Sequence, residues 1–312
     1  MTDQRSGSRV AIWLRFWFFP VSLNQLALLR VGVGLILLYT LFVYSFDLDA
    51  HFSASGWSNL AALGELDPWS WHFSVLDWFP NPFWLWCVHL LAILTAMAFL
   101  IGILPLWSAA LSLVILISYG HSNPAVLVGL DSLLLTALFY LALLPSGRAL
   151  GLMAPPAAPT PLGGSLPEED RVPWPGLPLR LIQIHLCLIY FFSGLANMDP
   201  DWLAGVDFWH PRLLETGLPL ARDTLWLQAR WSGLLAYGAI LFCLFLPVFV
   251  WLDRFRYWVL GLAVAAHLAM GVIWGKLPQN LLMIVLLLSF VRPHHVDLLV
   301  ERVGELLGLD EG

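Results

Sequence analysis

The feature that most restricts this chain is a succession of long apolar runs with almost no charge inside them. Gln25–Phe46 contains one charged residue, Arg30, and Phe83–Leu104 contains none. A helix of about 20 apolar residues matches the ~30 Å hydrocarbon layer of a bilayer. In lipid every backbone N–H and C=O must be paired within the protein, which a helix achieves along its own axis. The runs therefore predict an all-α, polytopic membrane bundle. Composition agrees: 59% of residues are hydrophobic and 12% charged, less charge than a soluble core of this size requires. Many of the seventeen tryptophans sit at the ends of apolar runs, as in the aromatic belts at membrane interfaces.

Eight spans are expected: Gln25–Phe46, Phe83–Leu104, Pro105–Gly120, Ala125–Pro145, Leu179–Ala196, Trp231–Leu252 (interrupted by Pro247), Tyr257–Gly275 and Gln279–Val291. Residues 25–292 thus form one transmembrane domain. Residues 1–24 mix Ile12, Trp13, Leu14, Phe16, Trp17, Phe18 and Phe19 with Arg9 and Arg15, a pattern for a helix lying on the membrane surface. Residues 146–178 hold eight prolines and the acidic Glu168, Glu169 and Asp170, and read as a flexible cytoplasmic linker. In 293–312, Val296, Leu299, Val300, Val303, Leu306 and Leu307 follow helical spacing, so the tail is expected to be an amphipathic surface helix. The loops Asp47–Asn81 and Asn197–Arg230, with a surface helix near Leu218–Trp231, would form a partly helical cap.

Lys and Arg set the orientation. With eight spans, one side receives Arg5, Arg9, Arg15, Arg148, Arg171, Arg180, Arg254, Arg256, Arg292 and Arg302. The other receives Arg212, Arg222, Arg230 and Lys276. The richer side is assigned to the cytoplasm, with both termini there and the cell (inner) membrane as the location. No small-residue cleavage site follows the first apolar patch, so the first long helix is expected to act as an uncleaved anchor. A net charge of -6 and the lack of a basic motif exclude nucleic acid as a partner and leave the lipid bilayer. Cys87, Cys187 and Cys243 each lie in an apolar run and read as small buried hydrophobes. No His-x-x-x-His or Glu-x-x-His pair supports a metal or haem site.

Ionisable groups inside spans cost about 2.5–3.5 kcal/mol on insertion scales, so each requires a reason. Arg30 is expected either to snorkel or clamp a helix C-terminus, or to hold a lipid or quinone head group. Asp131 needs a partner such as His89 or His267, or a proton of its own. His267, mid-span, reads as an interhelical hydrogen bond or as a ligand, and His89 and His185 fit the structural reading. Lys276 is the only lysine in the sequence. It would face water at a span end, or act as a base if an apolar pocket removed its proton.

The stretch Leu188–Gly205 ends an apolar run in Ser-Gly-Leu-Ala-Asn-Met-Asp-Pro-Asp-Trp-Leu-Ala-Gly. It resembles the corresponding stretch of the vitamin K-dependent gamma-carboxylases and their bacterial relatives, the horizontally transferred transmembrane domain (HTTM) family. Leu-Arg-Val-Gly-Val-Gly-Leu around Arg30 resembles the family's first helix. His121-Ser-Asn-Pro-x-x-Leu-x-Gly-Leu-Asp and the helix of His267 resemble two further regions. The resemblance implies a pocket for a quinol-like or lipid-like molecule near the outer leaflet, with a quinone or hydroquinone as cofactor. Arg30, Asn123, Asp131, Asn197, Asp199, Trp202 and His267 would be its ligand-binding residues. The carboxylase's catalytic base is the second of a lysine pair, and that pair aligns with Ala196 and Asn197. A histidine follows the family asparagine where Pro124 stands here. An amide has no useful basicity, so gamma-glutamyl carboxylation is expected to be absent, leaving Lys276, Asp199 and His267 as candidate catalytic groups. The carboxylase's large lumenal domain is also expected to be missing after so short a tail. Two readings follow: a quinol- or lipid-binding enzyme or redox protein, or a non-catalytic scaffold, maturation or immunity-like factor whose protein partner the sequence does not name. A transporter lacks support, since no inverted repeat or paired broken helices are visible.

Overall fold

The computed structural model describes residues 11–19, 21–53, 56, 73–78, 81–123, 129–152, 176–203 and 229–306. Pro124, most of the two long loops and most of the 146–178 linker lie outside the described residues. So does nearly all of the helix expected near Leu218–Trp231, whose last residues begin the helix Ala229–Phe249. Every regular element among the described residues is helical. In chain order they are α1 (11–17), α2 (Leu23–Tyr44), α3 (Leu48–Phe52), α4 (Pro82–Ile101), α5 (Pro105–Ser122) and α6 (Gly129–Ala142). There follow α7 (Gly176–Ala196), α8 (Pro200–Leu203), α9 (Ala229–Phe249), α10 (Arg256–Ile273), α11 (Leu277–Leu287) and α12 (Pro293–Leu306).

Four of these are long and apolar enough to cross a membrane: α2, α4, α7 and α10. The bent pair Leu277–Phe290 and Pro293–Leu306 makes a fifth if counted as one span. These helices fit a multi-pass membrane protein. The other expected spans are less complete. Helix α6 has 14 described residues, and α5 carries the polar Ser108, Ser112, Ser118 and His121, the three serines buried. Pro247 does not break α9; it lies in the last turn, so the one backbone bond its missing N–H removes falls just before the helix ends at Phe249.

The chain divides into two compact units, Met1–Ile182 with Val291–Gly312, and Gln183–Phe290. In the first unit α2 packs against α4 and α6, while α4 packs on α5 and α5 on α6. Leu26, Leu29, Val33, Leu37, Phe99 and Leu134 form its core. The start of α2 is capped by Ser22, whose hydroxyl accepts from the Gln25 amide and donates to Asp297 of α12. Asn24 donates to the same carboxylate and Gln25 to the Val291 carbonyl, which fixes α12 against the start of α2. Val296 is buried there, whereas Leu299, Val303 and Leu306 remain exposed. Helix α1 exposes Ile12, Trp13, Leu14 and Phe16, and is held by the Arg180 guanidinium stacked over Phe16 and Phe19 at 4.5 and 4.3 Å.

Helices α4 and α5 follow each other almost without a loop. The reversal is made by Gly102 at φ 77° and Leu104 at φ 43°. Gly102 is required for space as well as for φ: a β-carbon there would lie 2.9 Å from Arg30 Nη1 and 2.9 Å from Gly151 Cα.

In the second unit α10 and α11 form a hairpin turned by Gly275 at φ 67°, and α9 packs on both α8 and α10. Helix α7 approaches α9 closely at Gly194, where a β-carbon would meet Leu244 Cδ2 at 3.0 Å and Cys243 Cβ at 3.2 Å. Small residues at such crossings let helix backbones come together where lipid offers no hydrophobic drive.

Candidate functional site

The second unit buries a chain of polar groups whose donors run in one direction. His267 lies on α10, Asn280 in the first turns of α11 and Tyr190 on α7; all three are buried. Asn280 Nδ2 donates to the Lys276 carbonyl at 2.8 Å. A carbonyl can only accept, so the amide orientation is fixed and Asn280 Oδ1 faces the ring. That oxygen lies 2.8 Å from His267 Nδ1, which must therefore carry a proton. In the neutral ring Nε2 is then an acceptor, and the Tyr190 hydroxyl, 2.6 Å away, donates to it. The order is Tyr190 O–H to His267 Nε2, His267 Nδ1–H to Asn280 Oδ1, and Asn280 Nδ2–H to the Lys276 carbonyl.

This order has a chemical use. A proton arriving at the Tyr190 oxygen displaces the tyrosine's own proton onto His267 Nε2. The resulting imidazolium still donates from both nitrogens, to Tyr190 and to Asn280. The surroundings are apolar. Tyr190 meets Phe242 edge-on at 6.3 Å, and the neighbouring Leu188, Phe191, Phe192 and Leu195 of α7 face outward.

The remaining candidates of this unit lie around the same hairpin end. Trp202 of α8 faces Trp274 at 6.5 Å, beside the turn carrying Lys276. The Lys276 side chain is exposed, and its carbonyl closes the polar chain just described. Asp199 is a helix cap: Oδ1 accepts from the amides of Asp201 and Trp202 at 2.9 and 3.0 Å. Asn197 sits half-buried on the turn after α7, its amide donating to the Ser193 carbonyl.

Arg30, Asn123 and Asp131 belong to the first unit, at two ends of it. At one end Tyr44 O–H donates to Asp131 Oδ1 at 2.6 Å, so the sequence-based expectation of His89 or His267 as partner gives way to a tyrosine. His89 is taken up elsewhere, by the Tyr119 hydroxyl on Nδ1 and Ser45 Oγ on Nε2, both at 2.8 Å. Ser45 Oγ donates its one proton to the Leu41 carbonyl at 3.0 Å, so it accepts from His89 Nε2–H and the Tyr119 hydroxyl donates to Nδ1. Asn123 caps α5 and donates to the His51 carbonyl at 2.8 Å, tying α5 to α3. At the other end the buried Arg30 guanidinium donates to the carbonyls of Ser146, Ala149 and Leu150, the last at 2.5 Å. It closes the chain that follows α6 onto the end of α4, where Leu152 N also bonds the Ile101 carbonyl.

Of the sequence candidates, the structure gathers Trp202, Lys276 and His267 onto elements of one unit and leaves Arg30 and Asp131 at opposite ends of the other. Sequence reading missed Tyr190 and Asn280. Tyr190 stands in Leu-Ile-Tyr-Phe-Phe, indistinguishable from its aromatic neighbours, and Asn280 is the second residue of the expected span Gln279–Val291. The usable signal was the hairpin: His267 and Asn280 flank the Gly275 turn on two consecutive helices. Among the described residues no group of three or more His, Cys, Asp or Glu could hold a metal ion. Comparison of the chain with protein-family models, curated proteins and solved structures finds no match.

Proposed function

We propose that this chain is an eight-span protein of the HTTM type that binds a quinol-like or lipid-like molecule among its helices near the outer leaflet, with both termini cytoplasmic in the cell membrane. The observation that supports this most is the buried chain Tyr190–His267–Asn280. Polar groups at such depth are costly unless satisfied, and in membrane helices they commonly serve function. The exposed apolar side chains beside Tyr190 suit a ligand that arrives from the bilayer. A solvent extract of the protein purified in mild detergent, read by mass spectrometry, tests the proposal. One quinone or neutral lipid per chain is the expected result, and bulk phospholipid alone would reject it.

A scaffold reading is favoured by a separate observation. Asn197 replaces the family's base, and Asp199 is occupied as a helix cap. Membranes carrying the chain are therefore expected to show no vitamin K hydroquinone epoxidation. Activity that disappears in Lys276→Ala would overturn this and make Lys276 the base. Activity arising only in Asn197→Lys would mark a retained pocket that has lost its catalytic group.

A further inference from the structure

At the end of α5 a neighbouring segment is held by three hydrogen bonds whose directions are all fixed. Residues 73–78, which include the 3₁₀ turn Val75–Trp78, lie against Ser118 and His121 of that helix. The Ser74 hydroxyl donates to the Ser118 carbonyl at 3.0 Å. Ser118 Oγ gives its own proton to the Val114 carbonyl and accepts from the Val75 amide at 3.1 Å. The third bond runs from the Phe73 amide to His121 Nδ1 at 2.9 Å. A backbone amide can only donate, so Nδ1 is bare and the neutral ring carries its proton on Nε2. Protonation removes this bond. Turning the ring cannot restore it, because both nitrogens of an imidazolium are donors. The two serine bonds have no such dependence, and Leu76 beside them is buried.

We propose that His121 is an acid-sensitive latch. With its ring neutral it holds residues 73–78 by the Phe73 end. On protonation it frees that end, while the Ser118 bonds and the buried Leu76 keep the turn in place. Histidine ordinarily changes charge between about pH 5 and pH 8. The bond is therefore present above that range and is lost as pH falls through it. The titratable groups on the surrounding elements are Asp77 on the turn, Asp49 and His51 on α3, Tyr44 on α2, His89 on α4 and Asp131 on α6. Asp49 accepts from Trp86, Asp131 from Tyr44, and His89 from Tyr119. In the orientation proposed above this end of α5 faces outward, so the proton comes from outside the cell; the latch itself does not depend on that orientation.

The test is amide hydrogen exchange of the full chain in detergent at about pH 8 and about pH 5.5, with rates corrected for the intrinsic effect of pH. Ordinary carboxylates stay ionised across this interval, so His51 and His89 are the competing titrations. Protection of the Phe73 amide is expected to fall about fivefold on acidification, the value of roughly one net hydrogen bond, while that of the Val75 amide is kept. His121→Asn places an amide oxygen near Nδ1 and should hold Phe73 equally at both pH values. His121→Ala should leave Phe73 unprotected at both. Unchanged Phe73 protection in the unmodified protein would overturn the proposal. So would a pH response that survives in His121→Asn, or a joint loss at Phe73 and Val75. A second measurement needs no folded Asn variant. Nitrogen-15 spectra of histidine-labelled protein at about pH 8, assigned with His121→Ala, should show Nε2 protonated and Nδ1 bare. A ring protonated on Nδ1 would overturn the latch directly.

Discussion

Arg30→Ala is expected to destabilise the protein by about 3–5 kcal/mol, a loss readable as a clear fall in the thermal unfolding midpoint in detergent. Three contributions add. The Ser146, Ala149 and Leu150 carbonyls lose a charged donor, and a hydrogen bond to a charged group contributes about 1.5–3 kcal/mol. The Leu150 side chain is exposed, so its carbonyl has a route to water, whereas Ser146 is fully buried and does not. The third contribution is the cavity left by one of the largest fully buried side chains among the described residues. Arg30→Lys should recover only part of the loss, since one ammonium cannot reproduce a planar fork of donors. Gly102→Ala should destabilise through the same socket, by about 1–2 kcal/mol for the left-handed backbone and more for the encounter with the guanidinium 2.9 Å away. In Arg30→Ala/Gly102→Ala that encounter vanishes, so the double variant should lose less than the sum of the two singles. Strict additivity, or an Arg30→Ala midpoint equal to that of the unmodified protein, would refute the socket as a stabilising element.

The helices were readable because their cause is local. Apolar runs with one charge or none leave the backbone no other way to pair in lipid, and α2, α4, α7 and α10 lie where those runs lie. The expected clamp at Arg30 was partly readable too, because a lone intramembrane cation must find acceptors. Which carbonyls it finds depends on the close return of 146–151 against Gly102, and nothing in the local sequence states that pairing. Asp131 illustrates the same limit. The sequence offers histidines as partners, but the side chain that reaches it is the last residue of α2, distant in the chain and brought near by the packing of α2 on α6. Candidates chosen for their charge did not include Tyr190 and Asn280, whose place in the structure depends on a shared bond. A tyrosine within an aromatic run carries no mark of its hydroxyl's destination. Asp199 errs in the other direction. Its acidity suggested chemistry, yet Asp-Pro-Asp-Trp is also a helix-start pattern, and the backbone amides of Asp201 and Trp202 are what its carboxylate meets.

Tyr44→Phe, which removes a single oxygen atom, is expected to cost about 2–3 kcal/mol, more than most aromatic substitutions that keep the ring. The 2.6 Å separation between the Tyr44 hydroxyl and Asp131 Oδ1 falls in the range of O–H donors to ionised carboxylates. Asp131 also stands in the first turn of α6, where the helix dipole favours negative charge. Phenylalanine would keep the ring contacts with Phe52 at 5.3 Å and Tyr119 at 5.7 Å, so packing is preserved and the loss isolates the bond. What remains is a carboxylate, 1% exposed, that has lost the tyrosine's hydrogen bond. Losing a donor at a buried charged acceptor costs more than replacing both partners by groups that need no such bond. Asp131→Asn in the Tyr44→Phe background should accordingly restore part of the stability, while Asp131→Asn alone should be milder than Tyr44→Phe, its amide oxygen still accepting from the tyrosine. The four proteins form a double-mutant cycle, and a coupling of about 1–2 kcal/mol is expected from thermal or denaturant unfolding in detergent. Zero coupling, or a Tyr44→Phe variant as stable as the unmodified protein, would show that Asp131 does not depend on this hydroxyl.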